Sequence, residues 1–262
     1  MIPSDEALCR RLTLPPDSPP ASGIGELSEK TLHARLKAAY APDPACREVP
    51  VGRFVADIFD GSEIVEIQTA SFRNLARKLP AFLEVAPVTV VYPLPAVRRL
   101  MWVSPLDGST APPRRCPRRA YPIHALKELA AIRELLLSPR LRVELLFLDM
   151  DEYRLLSGKN GDSKHHTRRI ERIPQTLRER VILENAADYA AILTPAIREA
   201  LPPCFSAADL RTAVKPYLSS RGAYAAIHVL AGMGILDPLP PSENPAGSRA
   251  ARYRIRERSD NR

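Results

Sequence analysis

Residues 48–72 read EVPVGRFVADIFDGSEIVEIQTASF, and this stretch carries the firmest expectation about the fold. Two runs rich in β-branched residues flank Asp60-Gly61, a dipeptide that strongly favours a tight hairpin turn. We therefore expect strands at about 48–59 and 63–68, joined by that turn.

The hairpin carries an acid on each strand. Strand side chains alternate between faces, so Glu66 and Gln68 share one face. A four-residue loop places Asp57 opposite Glu66, whereas a two-residue loop places it opposite Ile64, and both put Asp57 on the face of Glu66. Two acids on a largely apolar face need a cation, a basic side chain or a raised pKa to compensate. Magnesium prefers such hard oxygen ligands, so a divalent metal is one candidate.

Helices and strands alternate on both sides of the hairpin. Ser28 can cap a helix over about 29–40, and apolar spacing after Phe72 predicts a helix that Pro80 should kink or shorten. The other elements expected before residue 155 are strands at 88–92, 100–103 and 143–150, a link through Pro93 and Pro95, and a helix at 122–137. This order predicts an α/β domain.

The C-terminal part has a different pattern. The stretch 158–175 is polar and basic without periodicity, which is typical of a linker. Helices are expected at about 177–193, from Ser206, and at 221–233, followed by the strand-like ARYRIR. Three helices followed by a hairpin is the order of a winged helix-turn-helix, here over 176–258.

Composition limits the classes of function. The 262 residues include 38 Lys and Arg against 30 Asp and Glu, a net charge of +8 that favours an anionic partner. The four cysteines form no CxxC pair, which argues against a zinc knuckle or a disulfide framework. Residues 1–24 are expected to be a disordered, proline-rich leader, and no apolar run approaches the length of a membrane span. These features favour a cytoplasmic protein and leave its oligomeric state open.

The helix, the acid-bearing hairpin and the following helix and strands resemble the PD-(D/E)xK superfamily of restriction-endonuclease-like domains. The motifs that carry the resemblance are GELSEKTLHARLKAAY, EVPVGRFVADIF, VEIQTASF and VVYPL, and they look like a bacterial group with a C-terminal winged helix. The resemblance implies a nuclease-like domain over 25–157, with a mixed central sheet flanked by helices.

The resemblance also implies a site. Asp57 and Glu66 match the two family acids, and Glu29 matches an acid that many members supply from the first helix. The implied reaction is hydrolysis of DNA with Mg²⁺ or Mn²⁺ held by Asp57 and Glu66. Gln68 stands where the family usually has lysine, and an amide cannot carry that charge. Lys78 on the next helix is the candidate for a migrated lysine, with Arg73 and Arg77 as alternatives.

Several basic residues are candidate contacts to double-stranded DNA. The stretch PRRCPRR supplies Arg114, Arg115, Arg118 and Arg119, which with Lys164, Arg168, Arg169 and Arg172 could form a positive path. In the winged unit the candidates are Arg221 and Tyr224 at the start of the third helix and Arg249, Arg252, Arg254 and Arg256 near the wing.

Other interpretations remain open at this point. The acids could lie on the solvent face of an ordinary hairpin, Glu29 could simply favour a helix dipole, and the arginines could be solvated. His33 could touch the site or pack elsewhere. The alternative function is a non-catalytic DNA-binding or regulatory protein with an inactivated nuclease fold, and the winged unit could instead bind protein.

Overall fold

The structure, a computed structural model, describes residues 2–13, 30–117, 119–157, 163–214, 218–240, 242 and 250–256. Its helices are α1 (Asp5–Thr13), α2 (Lys30–Tyr40), α3 (Arg73–Val85), α4 (Leu126–Leu129), α5 (Ala186–Ala191), α6 (Pro195–Ala200), α7 (Ala207–Ala213) and α8 (Ser220–Gly232). Its strands are β1 (Arg47–Val51), β2 (Phe54–Phe59), β3 (Ile64–Ile67), β4 (Val88–Val103), β5 (Arg114–Cys116), β6 (Leu141–Ser157), β7 (Ser163–Leu183), β8 (Leu236–Pro238) and β9 (Tyr253–Ile255). Short 3-10 segments lie at Pro44–Cys46, Pro122–Ala125 and Ala130–Leu135.

Strands β1 to β7 form one mixed sheet in the order β1-β2-β3-β4-β6-β7, with β5 paired to β4. The pairs β3–β4 and β4–β6 are parallel, because α3 and the segment 122–135 return the chain across the sheet; the other pairs are antiparallel. The expected α/β class is therefore confirmed.

The predicted hairpin is present with the longer of the two loops. Phe59 pairs with Ile64, which leaves the four residues 60–63 in the turn. The Asp60 carboxylate accepts the backbone N–H groups of Ser62 and Glu63, and Gly61 has a φ of 89°, a left-handed conformation that favours glycine. This turn fixes the register that makes the two acid-bearing positions neighbours.

Helices cover both faces of the sheet. One apolar layer packs α1 and α2 against the sheet through residues such as Leu8, Leu36 and Val91. The other layer packs α3 and the segment 122–135 through residues such as Phe82 and Leu129. The latter layer also contains Leu210 and Leu230 of the C-terminal helices, so the C-terminal unit shares a continuous core with the sheet.

Strand β4 is continuous over 16 residues instead of forming two strands linked through Pro93 and Pro95. On one edge of β4, strand β6 pairs with it from Val88 to Val103. On the other edge, β3 ends opposite Val91 and β5 begins opposite Arg98. That edge is open at the two prolines, which lose no ladder hydrogen bond there. Likewise, α3 runs for 13 residues through Pro80.

The expected disordered leader is wrong for residues 5–13, which form α1. Leu8 and Leu12 are fully buried in the layer that contains α2, and the Arg180 guanidinium donates to the carbonyl of Pro3 and to Asp5. Packing against the sheet thus orders a segment whose composition alone indicated no core. Residues 14–29, which include Glu29, lie outside the described part of the chain.

The expected basic linker is wrong for residues 163–175, and the helix expected at 177–193 is wrong as far as residue 183. Both segments belong to β7, which pairs with β6 from Val143–Leu183 to Ser157–Ser163. Without β7, the hydrogen-bonding groups along β6 would be left unpaired on that edge. Helix returns only at α5, which Asn185 caps.

The C-terminal helices largely follow the prediction. Ser206 caps α7 by accepting the N–H of Asp209, α8 covers the expected third helix, and β8 pairs with β9. Phe205 adds an antiparallel bridge to Tyr253. The helix expected at 122–137 is instead a series of 3-10 and α turns. In the described residues, no helix combines the length and apolar character needed to cross a membrane.

Candidate functional site

Asp57 and Glu66 meet where β2 and β3 separate. The regular ladder ends at the pair Ile58–Val65, one residue before the two acids. Beyond it, the Asp57 Oδ2 accepts the N–H of Ile67 at 2.8 Å, and the Glu66 Oε1 accepts the N–H of Asp57 at 3.1 Å. Each carboxylate therefore takes the place of a lost ladder partner on the other strand.

Glu66 is fully buried and is bound by a lysine from the next helix. The Nζ of Lys78 on α3 lies 2.5 Å from Glu66 Oε2, and the Nε2 of Gln68 lies 3.5 Å from the same oxygen. Burial raises the pKa of Glu66 to about 7, and the negative charge of Asp57 adds to that rise, while Lys78 acts in the opposite direction. A lysine thus reaches the site from α3, at the position the sequence offered for it.

Asp57 is held by two basic residues of α2. The His33 Nε2 lies 3.1 Å from Asp57 Oδ2, and the Lys37 Nζ lies 3.5 Å from Oδ1 and also contacts Glu48. Burial acts to raise the pKa of Asp57, but the hydrogen bond and charge of His33, the N–H of Ile67 and the charge of Lys37 outweigh it and lower the pKa. The pKa of Asp57 is therefore lowered and that of Glu66 is raised relative to their ordinary values.

The alternation of side chains predicted that the two acids share one face of a regular ladder. The structure differs from that prediction. Asp57 contacts α2 and Glu66 contacts α3, and these helices belong to opposite apolar layers. The difference arises because the ladder ends before the acids, so both carboxylates turn into the gap between the strands. The two acids remain neighbours, because Glu66 Oε1 accepts the N–H of Asp57 at 3.1 Å and the charge of Asp57 raises the pKa of Glu66.

The structure brings together four of the five predicted catalytic residues: Asp57, Glu66, Gln68 and Lys78. The fifth, Glu29, lies outside the described residues. Lys37 was missed, although its position four residues after His33 on one helix face could have indicated it. In the described residues, no group of three or more His, Cys, Asp or Glu side chains could hold a metal ion.

The unusual pKa of Glu66 has a measurable consequence for stability. Because its pKa is higher in the folded protein than the ordinary 4.5, Glu66 stabilises the fold below pH 4.5 and loses that contribution as the pH rises to about 7. We expect the free energy of unfolding to fall by about 3 kcal/mol over this range relative to Glu66→Gln. Urea unfolding of both proteins at several pH values tests this, with the exposed Glu134→Gln as control. Parallel curves for the parent and Glu66→Gln would contradict it.

The predicted nucleic-acid contacts are spread over two surfaces. Arg114 and Arg115 are exposed on β5, Arg119 lies 3.8 Å from Glu179, and Arg118 is outside the described residues. Arg172 donates instead to the carbonyl of Thr69, beside Gln68, and so ties β7 to the end of β3. Arg168 and Arg169 are exposed on β7. The side chain of Lys164 lies outside the described part.

On the C-terminal unit, Arg221 and Tyr224 are exposed at the start of α8, and Arg254 is exposed on β9. Arg252 is engaged within the protein, where it bonds the carbonyl of Cys204 and the carboxylate of Asp209. Arg249 lies outside the described residues, and Arg256 pairs with Asp237. Three of the predicted contacts on this unit are therefore available to a partner.

Comparison with known proteins places the site within a family. Residues 30–184 match the model described as a domain of unknown function, DUF8091, and this range runs from α2 to the end of β7. The chain is also 27% identical over 191 residues to a protein of Treponema pallidum (strain Nichols) named "Uncharacterized protein", covering 71% of this chain and 73% of that protein. No solved structure gives a significant match. Since the matched range exceeds half of its length, the chain belongs to the DUF8091 family.

Proposed function

We propose that this protein hydrolyses phosphodiester bonds of DNA through a PD-(D/E)xK-like site that contains Asp57, Glu66, Gln68 and Lys78. The observation that carries the proposal is the contact of 2.5 Å between Lys78 and Glu66 beside Asp57. It supplies two acids and a lysine, with the lysine contributed by α3 instead of the residue two positions after Glu66.

The order of elements supports the proposal. A helix precedes an antiparallel meander of three strands, and a second helix then leads to a strand parallel to the third. The resemblance predicted a helix, an acid-bearing hairpin, a second helix and further strands, and the structure has this order, with the single strand expected at 48–59 divided into β1 and β2. The acids lie at the end of β3 and in the middle of β2, where the regular ladder between the two strands stops.

The oxygen donors suit a hard divalent cation. Mg²⁺ commonly takes only one or two carboxylates and completes its shell with water and phosphate, so Asp57 and Glu66 would suffice to hold it. When bound, the cation would supply Lewis acidity and lower the pKa of a coordinated water. Lys78 places a positive charge next to the phosphoryl oxygens, and Gln68 can orient a water through hydrogen bonds.

The C-terminal unit fits a winged helix that delivers the site to DNA. An antiparallel bridge between Phe205 and Tyr253 joins the segment before α7 to the β8–β9 hairpin. Arg221, Tyr224 and Arg254 lie on its exposed surface and are the residues we propose for contacts to double-stranded DNA. Further along the same face of α8, His228 lies 3.3 Å from Arg133 of the segment 122–135 and Gly232 packs against the same arginine, so the first turns of the helix are the part offered to DNA.

A cleavage assay tests the proposed function. The full chain is incubated with duplex and single-stranded DNA in Mg²⁺, in Mn²⁺ and in a chelator, beside an identically purified Asp57→Asn protein. We expect cleavage that depends on either cation, stops with chelator and is absent from the variant. Cleavage that persists with chelator or in the variant, or no cleavage under any condition, would overturn the enzymatic proposal.

A second candidate is a non-catalytic DNA-binding protein. It is favoured by the contacts of both acids with basic side chains of the protein, Asp57 with Lys37 and His33 and Glu66 with Lys78. Such a protein would bind duplex DNA with a strong dependence on salt and show no cleavage. Binding would then be unchanged by Asp57→Asn, since that position would have only a structural role.

A further inference from the structure

A cleft lined by arginines lies between β4, β5 and β7, away from the acids. It has a volume of about 420 Å³, and its walls include Arg115, Arg119 and Arg178 around the apolar residues Ala96 and Val97. An apolar floor with convergent guanidinium groups is suited to a small anionic ligand.

The fold holds β5 and its arginines firmly at this cleft. Arg115 pairs with Arg99 in the register between β5 and β4. The neighbouring Arg98 donates to Cys116 Sγ at 3.1 Å and to the buried Glu152 at 3.3 Å, which fastens the strand. The backbone that carries Arg115 is therefore fixed before any ligand binds.

The charges in the cleft are not balanced. Arg178 is paired with Asp149, with a nitrogen–oxygen distance of 2.5 Å. The Arg119 Nη2 is 3.8 Å from Glu179, with both side chains half-exposed, and the Arg119 guanidinium lies over the Tyr121 ring at 5.5 Å. No described carboxylate lies within ion-pair distance of Arg115. Among the described residues, Arg115 thus has no carboxylate partner, and Arg119 has a weak one in Glu179.

We propose that this cleft binds a phosphate group of a nucleic acid backbone, through Arg115 and Arg119. The planar guanidinium group matches two phosphate oxygens at once, and such charge-assisted hydrogen bonds are stronger than neutral ones. The inference rests on the proposed function in taking nucleic acid as the partner, but it assigns a contact that the cleaving site does not require.

The position of the cleft relative to the acids indicates where the bound DNA strand runs. Val97, in its floor, lies seven residues along β4 from Val90, which pairs with Glu66. At roughly 3.3 Å per residue this corresponds to about 23 Å. The cleft therefore contacts a phosphate several nucleotides away from the phosphodiester bond that is cleaved at Asp57 and Glu66. This contact fixes the register of the DNA strand.

The test measures binding and cleavage separately. Binding of a fluorescent DNA duplex is followed by anisotropy in chelator over a series of salt concentrations. The variant Arg115→Ala/Arg119→Ala is expected to bind at least about tenfold more weakly than the parent, with a salt slope reduced by one to two. The control is Arg53→Ala, an exposed arginine in the β1–β2 turn at the opposite edge of the sheet, which should bind like the parent.

The lysine pair Arg115→Lys/Arg119→Lys keeps both charges and is expected to restore the salt slope. Equal affinity of the alanine variant and the Arg53→Ala control for the duplex would overturn the proposed role of the cleft. A parent protein that binds no duplex would overturn it as well. Displacement of the duplex by an equal concentration of inorganic phosphate would also overturn it, since a free anion would then be the ligand. A parent protein that binds the duplex as expected but cleaves no DNA would instead overturn only the proposed function.

Discussion

Lys78→Ala is expected to lower the metal-dependent cleavage of DNA by about 100-fold to 1,000-fold, the usual effect of removing one preorganised group that stabilises developing charge. The Lys78 ammonium lies 2.5 Å from Glu66 and is only 19% exposed, so water cannot replace it readily. Arg77→Ala is the matched control, because Arg77 is exposed on the same helix and bonds Asn74 instead of the acids. Single-turnover cleavage rates measure the effect.

A second substitution shows whether lysine has moved within the site. Gln68 Nε2 and Lys78 Nζ approach the same oxygen of Glu66, at 3.5 and 2.5 Å. Gln68→Lys in the Lys78→Ala protein should therefore recover at least part of the lost rate, since it returns an ammonium group to that oxygen. A rate for Lys78→Ala equal to that of Arg77→Ala would contradict the assignment of Lys78.

Arg180→Ala is expected to lower the free energy of unfolding by about 3 to 5 kcal/mol, because it leaves a buried carboxylate without its charge partner. Glu144 is fully buried, and Arg180 Nη2 lies 2.7 Å from both of its oxygens. The Tyr40 hydroxyl donates to the same carboxylate at 2.6 Å, and burial together with Glu144 raises the pKa of that tyrosine. Urea unfolding at pH 7 measures the loss.

Two variants separate this effect from a general loss of arginine. Arg178→Ala removes a neighbouring arginine of β7 whose side chain is 58% exposed and pairs with Asp149, and it should lower stability less than Arg180→Ala does. Replacing both partners, as Glu144→Leu with Arg180→Met, should recover part of the stability, because no buried charge remains unpaired although the Tyr40 hydroxyl loses its acceptor. Equal stability of Arg178→Ala and Arg180→Ala would refute the assigned role.

Tertiary contacts decided which segments became strands. The stretch 163–183 joins a basic segment without periodicity to the start of an expected helix, yet it forms β7 because β6 offers a long edge that needs a partner. Residues 5–13 are ordered for a related reason: Leu8 and Leu12 have an apolar layer to fill. Neither outcome can be derived locally, since the partner in each case lies far away in sequence.

The sequence by itself determined the hairpin, its four-residue turn as one of two choices, and the neighbouring positions of Asp57 and Glu66. These follow from turn chemistry and strand alternation, which act over a few residues. Only the tertiary structure decided that the ladder ends before the acids and that Lys37 and Lys78 approach them from opposite layers. The reason is physical: the contacts of a side chain across a sheet depend on how distant helices pack, and local periodicity carries no information on that packing.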